Sequence, residues 1–208
     1  MSRSFMLALL LLLSLFLASN AWSAPKVVVS IKPVHSLVAN LMAGVGTPTL
    51  LVNQGGSPHG YAMRPSEARA LHQADLLIWV GPELESFLEK PLSASTIRHL
   101  QLTASIPDQF LPIRAGGQWQ KHAHHHHDHQ TERDPHLWLG IDQAQQICAA
   151  TVAALSDIDP GNQVTYRANG AALQQRLANL ESELARTLAP IKKTPYIVFH
   201  DAYQYFEA

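Results

Sequence analysis

Three short apolar runs, each followed by a helical pattern, constrain this chain more than any other feature. Residues 27–31 (VVVSI), 48–52 (PTLLV) and 76–80 (LLIWV) are apolar on both alternating faces, as strands of a parallel sheet must be when helices cover both sides. The stretches between them carry helix starts. Pro33 opens one helix that runs to about Met42, where Gly44 can end it, and Pro65 opens another that runs to about Gln73. A third helical stretch covers 84–89. This alternation predicts an α/β architecture on a mostly parallel sheet.

Ahead of the first run, Arg3 precedes an apolar core from Met6 to Ala18 and small residues at Ala21, Ser23 and Ala24. That pattern predicts a secretory leader over 1–23, cut after Ser23, and hence a periplasmic mature protein. The apolar core falls short of the ~20 residues needed to span a bilayer. Cys148 is the single cysteine, so no disulfide forms within the chain. Its IleCysAlaAla setting reads as a small buried hydrophobe. With 15 basic against 16 acidic residues, no charge excess points to nucleic acid or to an anionic membrane surface.

The C-terminal half is organised differently. Residues 112–134 lose apolar periodicity, and Gly116, Gly117 and a histidine tract make 115–133 a surface loop. The tract comprises His122, His124, His125, His126, His127 and His129 with Asp128. It suits several transient low-affinity metal contacts, and equally a solvated spacer. A helix is expected over 143–155. Beyond it, Leu173, Leu177, Leu180, Leu184 and Leu188 recur at helical spacing, started by Asp159-Pro160 and stopped by Pro190. A helix of ~27 residues would be ~40 Å long, which reads as a strut over 159–190 linking an N-terminal lobe (24–158) to a second one. Gly170 is its weak point. Residues 196–200 (YIVFH) read as the first strand of that second lobe. One strand and a turn bury no core, so 191–208 is expected to be the start of a truncated lobe, most of which is missing here.

Three histidines stand outside the tract. His59 follows a strand and a Gly-Gly turn, His136 lies in Asp134-Pro135-His136, and His200 ends the run 196–200. Ligand sites of parallel α/β sheets form at the carboxyl ends of strands, which places His59 and His200 at a cleft. Neutral imidazole suits Zn2+ better than Mn2+, and three of them leave one tetrahedral position for a carboxylate or water. Each histidine, taken alone, is equally explained as a satisfied core or surface residue. Arg64 is read as fixing the loop beside His59, and Tyr61 as an outer hydrogen-bond donor. His35, His72 and His99 are read as structural or surface residues on helices or turns, and Glu83 and Glu85 as solvated.

The segments SPHGYAMRPS (57–66), DPHLWL (134–139) and VFHDAYQYFE (198–207) resemble the ligand segments of the periplasmic zinc-binding proteins of bacterial ABC importers, the ZnuA type. ADLLIWVGPELESFLEKP (74–91), the histidine-rich loop and the long helix are similar too. The resemblance implies two (β/α)4 lobes joined by a rigid helix, with Zn2+ held between them by His59, His136 and His200. It implies delivery to an inner-membrane ABC permease by a monomer that takes no substrate beyond the metal and no nucleic acid. The fourth ligand of that family, an Asp of the second lobe, has no counterpart within 1–208. Histidine rather than glutamate at position 200 is the zinc pattern of the family. Two alternatives stay open: a three-histidine zinc hydrolase or lyase, with no HExxH, GxSxG or P-loop in the sequence, and a transport component made non-functional by truncation.

Overall fold

The computed structural model describes residues 23–53, 56–114 and 133–208. The leader up to residue 22 and the whole histidine tract lie outside the described residues. Four strands form one sheet in the order β2-β1-β3-β4, all parallel. They are β1 (Val27–Val29), β2 (Thr49–Leu50), β3 (Leu76–Trp79) and β4 (His99–Gln101). Among the described residues seven α-helices accompany them: α1 (Lys32–Leu41), α2 (Pro65–His72), α3 (Glu89–Ser93), α4 (Leu102–Ser105), α5 (Ile141–Ile158), α6 (Gln163–Leu188) and α7 (Gln204–Glu207).

β1 and β3 are buried on both faces, as their composition requires, whereas edge strand β2 leaves Thr49 exposed and Leu50 half-buried. Val27, Val29, Leu76 and Ile78 face α1, α5 and α6 in one core, with Val34, Val38, Leu41, Ile147, Leu155 and Tyr166. Val28, Leu77 and Trp79 face the other way, against Leu51, Leu71 and Leu88. β1 pairs Val28 with Thr49 on one side and with Leu77 on the other. The chain therefore leaves β1 for one neighbour and returns to the other, which opens a crevice at the carboxyl ends of the strands. Cys148 belongs to the first core at 1% exposure, and burial raises its thiol to about 11.

The long helix has two characters. Tyr166, Gly170, Leu173 and Leu177 are buried against the lobe, whereas Leu180 is 42% exposed. The upstream half is a core helix and the downstream half projects beyond the sheet. Gly170 is where α6 meets α5: a Cβ there would stand 2.9 Å from Val152 Cγ2. Its helix-propensity cost of about 1 kcal/mol is offset by that close approach. Asp159 fixes the corner between the two helices, accepting hydrogen bonds from Tyr166 Oη (2.7 Å) and Asn162 Nδ2 (2.8 Å).

Three expectations need correction. Residues 196–200 form no strand; Ile197 and Phe199 are fully exposed, because no neighbouring strand among the described residues supplies a ladder. His99 lies on β4 rather than on a helix or turn, an element too short and too polar to announce itself. Glu85 is not solvated. It is 0% exposed, and its carboxylate accepts from the amides of Gly81 (2.9 Å) and Val80 (3.3 Å). Burial nevertheless lifts its pKa to about 7.

A carboxyl whose folded pKa lies above its unfolded value favours folding while protonated. Stability should therefore fall as pH rises from about 4.5 toward 7, by roughly 2–3 kcal/mol, and then level off. Chemical denaturation of Glu85→Gln should lack most of that decline, whereas an unchanged pH profile would show that Glu85 is not its source.

Candidate metal centre

The three histidines reach one point by three different routes. His59 lies in the loop that follows β2, in a turn where its amide donates to Ser57 Oγ (3.3 Å) and Gly60 takes a positive φ of 90°. The loop is pinned from its far side. Glu67, the third residue of α2, accepts the Arg64 amide at 2.7 Å and the Tyr61 hydroxyl at 2.8 Å, a capping-box arrangement that satisfies the open donors of a helix start. The Tyr61 ring also packs edge-on against Phe87, with centroids 5.3 Å apart. Tyr61 spends its single proton on Glu67. Tyr61 therefore bears on His59 by holding the loop, not as a hydrogen-bond donor to the ring, and the Arg64 amide pins the same loop.

His136 is the most constrained of the three. It is 7% exposed and sits just before α5, its ring edge-on to Trp138 at 5.4 Å. Asp134, itself 5% exposed, accepts at one oxygen both the His136 amide (3.0 Å) and His136 Nδ1–H (2.6 Å). A carboxylate can only accept, so Nδ1 carries the proton and a neutral His136 presents the lone pair of Nε2. Sequence reasoning placed Asp134 beside the site without giving it this role; the Asp-Pro-His spacing, which folds the carboxylate back onto the ring two residues on, was the available signal.

His200 comes from the segment after α6, just ahead of α7. Its Nε2 lies 3.1 Å from His136 Nε2. Ring centroids are 5.0 Å apart for His136 and His200, and 5.8 Å for His59 with each of the others. One ligand nitrogen from each lies within 4.8 Å of the other two. Around a tetrahedral ion with bonds of 2.0–2.1 Å, such nitrogens stand roughly 3.4 Å apart, so small ring rotations suffice. The proton between the two Nε2 atoms belongs to His200, and a divalent cation would take its place. His59 is exposed and His136 buried, which leaves the fourth coordination position on the open side. Of the remaining histidines, His35 bonds the Pro48 carbonyl (2.9 Å) and His99 the Ile97 carbonyl (3.3 Å); the tract lies outside the described residues.

Known proteins similar to this chain include zinc-uptake and zinc-binding proteins. The family described as zinc-uptake complex component A, periplasmic, matches residues 27–208. The high-affinity zinc uptake system protein ZnuA of Brucella abortus is 36% identical over 235 residues, covering 95% of this chain and 70% of that protein. Among solved structures, the periplasmic zinc-binding protein TroA of Treponema pallidum superposes with a TM-score of 0.74 at 24% identity, covering 88% of this chain and 62% of that one. Zn(II)-bound AdcA of Streptococcus pneumoniae gives 0.70 at 21% identity over 88% of this chain and 36% of that one. The chain thus spans less than two thirds of the length of either solved relative. These likenesses bear out the two-lobed α/β fold class read from the sequence, of which the described residues form a partial set.

Loss of Asp134 frees the His136 ring and its tautomer together. Asp134→Ala should weaken Zn2+ binding by about 10–100-fold, as removal of such outer partners does. Asp134→Asn, whose amide oxygen still accepts from Nδ1–H, should recover part of it. Equal affinities for all three proteins in competition titrations would refute the role of the carboxylate.

Proposed function

The chain belongs to the family of periplasmic zinc-uptake component A proteins, and on that premise we propose that it captures Zn2+ in the periplasm and delivers it to an inner-membrane ABC permease. Convergence of His59, His136 and His200 from three separate loops within 4.8 Å carries this conclusion. The donor set favours zinc over manganese, since all three groups are imidazoles and none is a carboxylate. The ion is cargo here, not a resident cofactor. Water, or a carboxylate from outside the described residues, completes the coordination.

Capture and release make different demands on a site from catalysis. A carrier needs a closed, well-oriented ligand set that can open; a hydrolytic zinc needs a substrate pocket and a poised acid or base beside the open position. The residue next to His200 that might have served as such a base, Asp201, is engaged with the Arg114 guanidinium at 3.7 Å. Family membership and that engagement both favour transport over turnover. The histidine tract is assigned the secondary part of a weak zinc collector.

Calorimetric titration should give one tight Zn2+ per chain. His59→Ala, His136→Ala and His200→Ala should each lose at least the roughly 10–100-fold that removal of an outer partner costs. Expression in a zinc-starved strain that lacks its own binding component should restore growth only when the permease is present. Permease-independent rescue, or three alanine variants with native affinity, would refute the proposal.

A further inference from the structure

His200 is the least anchored of the three histidines on its upstream side. Ile197 and Phe199 are fully exposed, and Tyr196 is 61% exposed. Downstream the segment is tied down at several points, all on the stem of the loop that precedes His136. That stem is made by an antiparallel bridge between Pro112 and Arg133 and by the Asp134 amide donating to the Leu111 carbonyl at 2.8 Å.

α7 lies across this stem. The Tyr205 hydroxyl accepts from the Leu111 amide (3.0 Å) and donates to the Asp134 carbonyl (2.7 Å), so one oxygen clasps both sides of the stem. Gln204 Nε2 donates to the Pro112 carbonyl (3.1 Å). Tyr205 is 5% exposed, and Gly140 lets it approach, since a Cβ there would stand 3.1 Å from Tyr205 Cβ. Arg114 then closes the arrangement. Its Nη1 donates to Glu207 Oε2 at 2.5 Å and its Nη2 lies 3.7 Å from Asp201 Oδ1. The Tyr196 hydroxyl reaches the same Glu207 carboxylate.

We infer that Arg114 is a positioning residue for His200: by spanning Asp201, which precedes α7, and Glu207, which ends it, it sets how far His200 reaches toward His136. The guanidinium is suited to this because one of its nitrogens donates to Glu207 while its delocalised charge faces Asp201 at 3.7 Å, a spread of charge that a compact ammonium lacks. Both carboxylates and the guanidinium are less than a third exposed, which limits screening by solvent. The stem that carries Arg114 also carries Asp134, so two of the three histidines are referred to one small piece of backbone. This inference rests on the assignment of His200 as a zinc ligand.

A double-mutant cycle separates the two claims. Zn2+ affinities are measured by competition for the wild type, Arg114→Ala, His200→Ala and the double variant, and visible spectra are recorded for the Co2+ forms. Arg114→Ala should bind Zn2+ about 10-fold more weakly and show a weakened tetrahedral Co2+ spectrum. In the His200→Ala background the same change should cost nothing further. Additive losses, or native affinity in Arg114→Ala, would overturn the positioning role and leave the ligand assignment intact. Native affinity in His200→Ala would overturn both. Should Arg114→Ala fail to fold, Arg114→Lys keeps the charge and loses the planar group, and the same cycle is run with it, native affinity there overturning the positioning role.

Discussion

One carboxylate oxygen holds both the backbone and the ring of His136, and the rest of the site is arranged around that fixed imidazole. Asp134 is buried and can only accept, so it settles the orientation and the tautomer of the ring in a single contact. His59 and His200 approach this ring from an exposed loop and from a half-buried turn. The order of burial therefore runs from the interior outward, with His136 at the back and His200 and His59 in front.

The scaffold explains why such convergence is available at all. A parallel sheet buried on both faces sends every connection after a strand to the same end, and the crossing at β1 opens a crevice there. The β2 loop delivers His59 to this end, and the segment beyond β4 delivers His136. The third histidine arrives without a strand, through packing of Tyr205 and the Arg114 bridge. The two kinds of support differ physically. The His59 loop is held by Glu67 and His136 by Asp134, whereas the third arm combines the buried Tyr205 ring with polar contacts at a partly exposed seam.

Much of this was legible in the sequence. Apolar runs at 27–31, 48–52 and 76–80 marked strands because burial on both faces leaves no room for polar residues. Proline at 33 and 65 marked helix starts because its missing N–H costs nothing there. The three histidines stood out through their turn-forming neighbours and through likeness to a known family. What escaped notice depends on distant partners. β4, His-Leu-Gln, gains its strand character only by pairing with Leu77–Trp79. Residues 196–200 have strand composition but, among the described residues, no ladder to join. Glu85 looked solvated because nothing local reveals that the backbone folds over it, and Gly170 looked like a defect until α5 was seen to lie against it. Periodicity reports which face is apolar; it does not report which neighbour will be there.

The single thiol of the chain, at position 148, gives the molecule an experimental advantage. Enclosed in the core and with its thiol raised to about 11, it offers almost no thiolate at neutral pH and almost no access to reagents. A cysteine introduced on the projecting half of α6 or beside the His59 turn would thus be the sole reactive handle. Fluorophores or spin labels could be attached there by alkylation in the otherwise native background, without first deleting a residue from the packed interior.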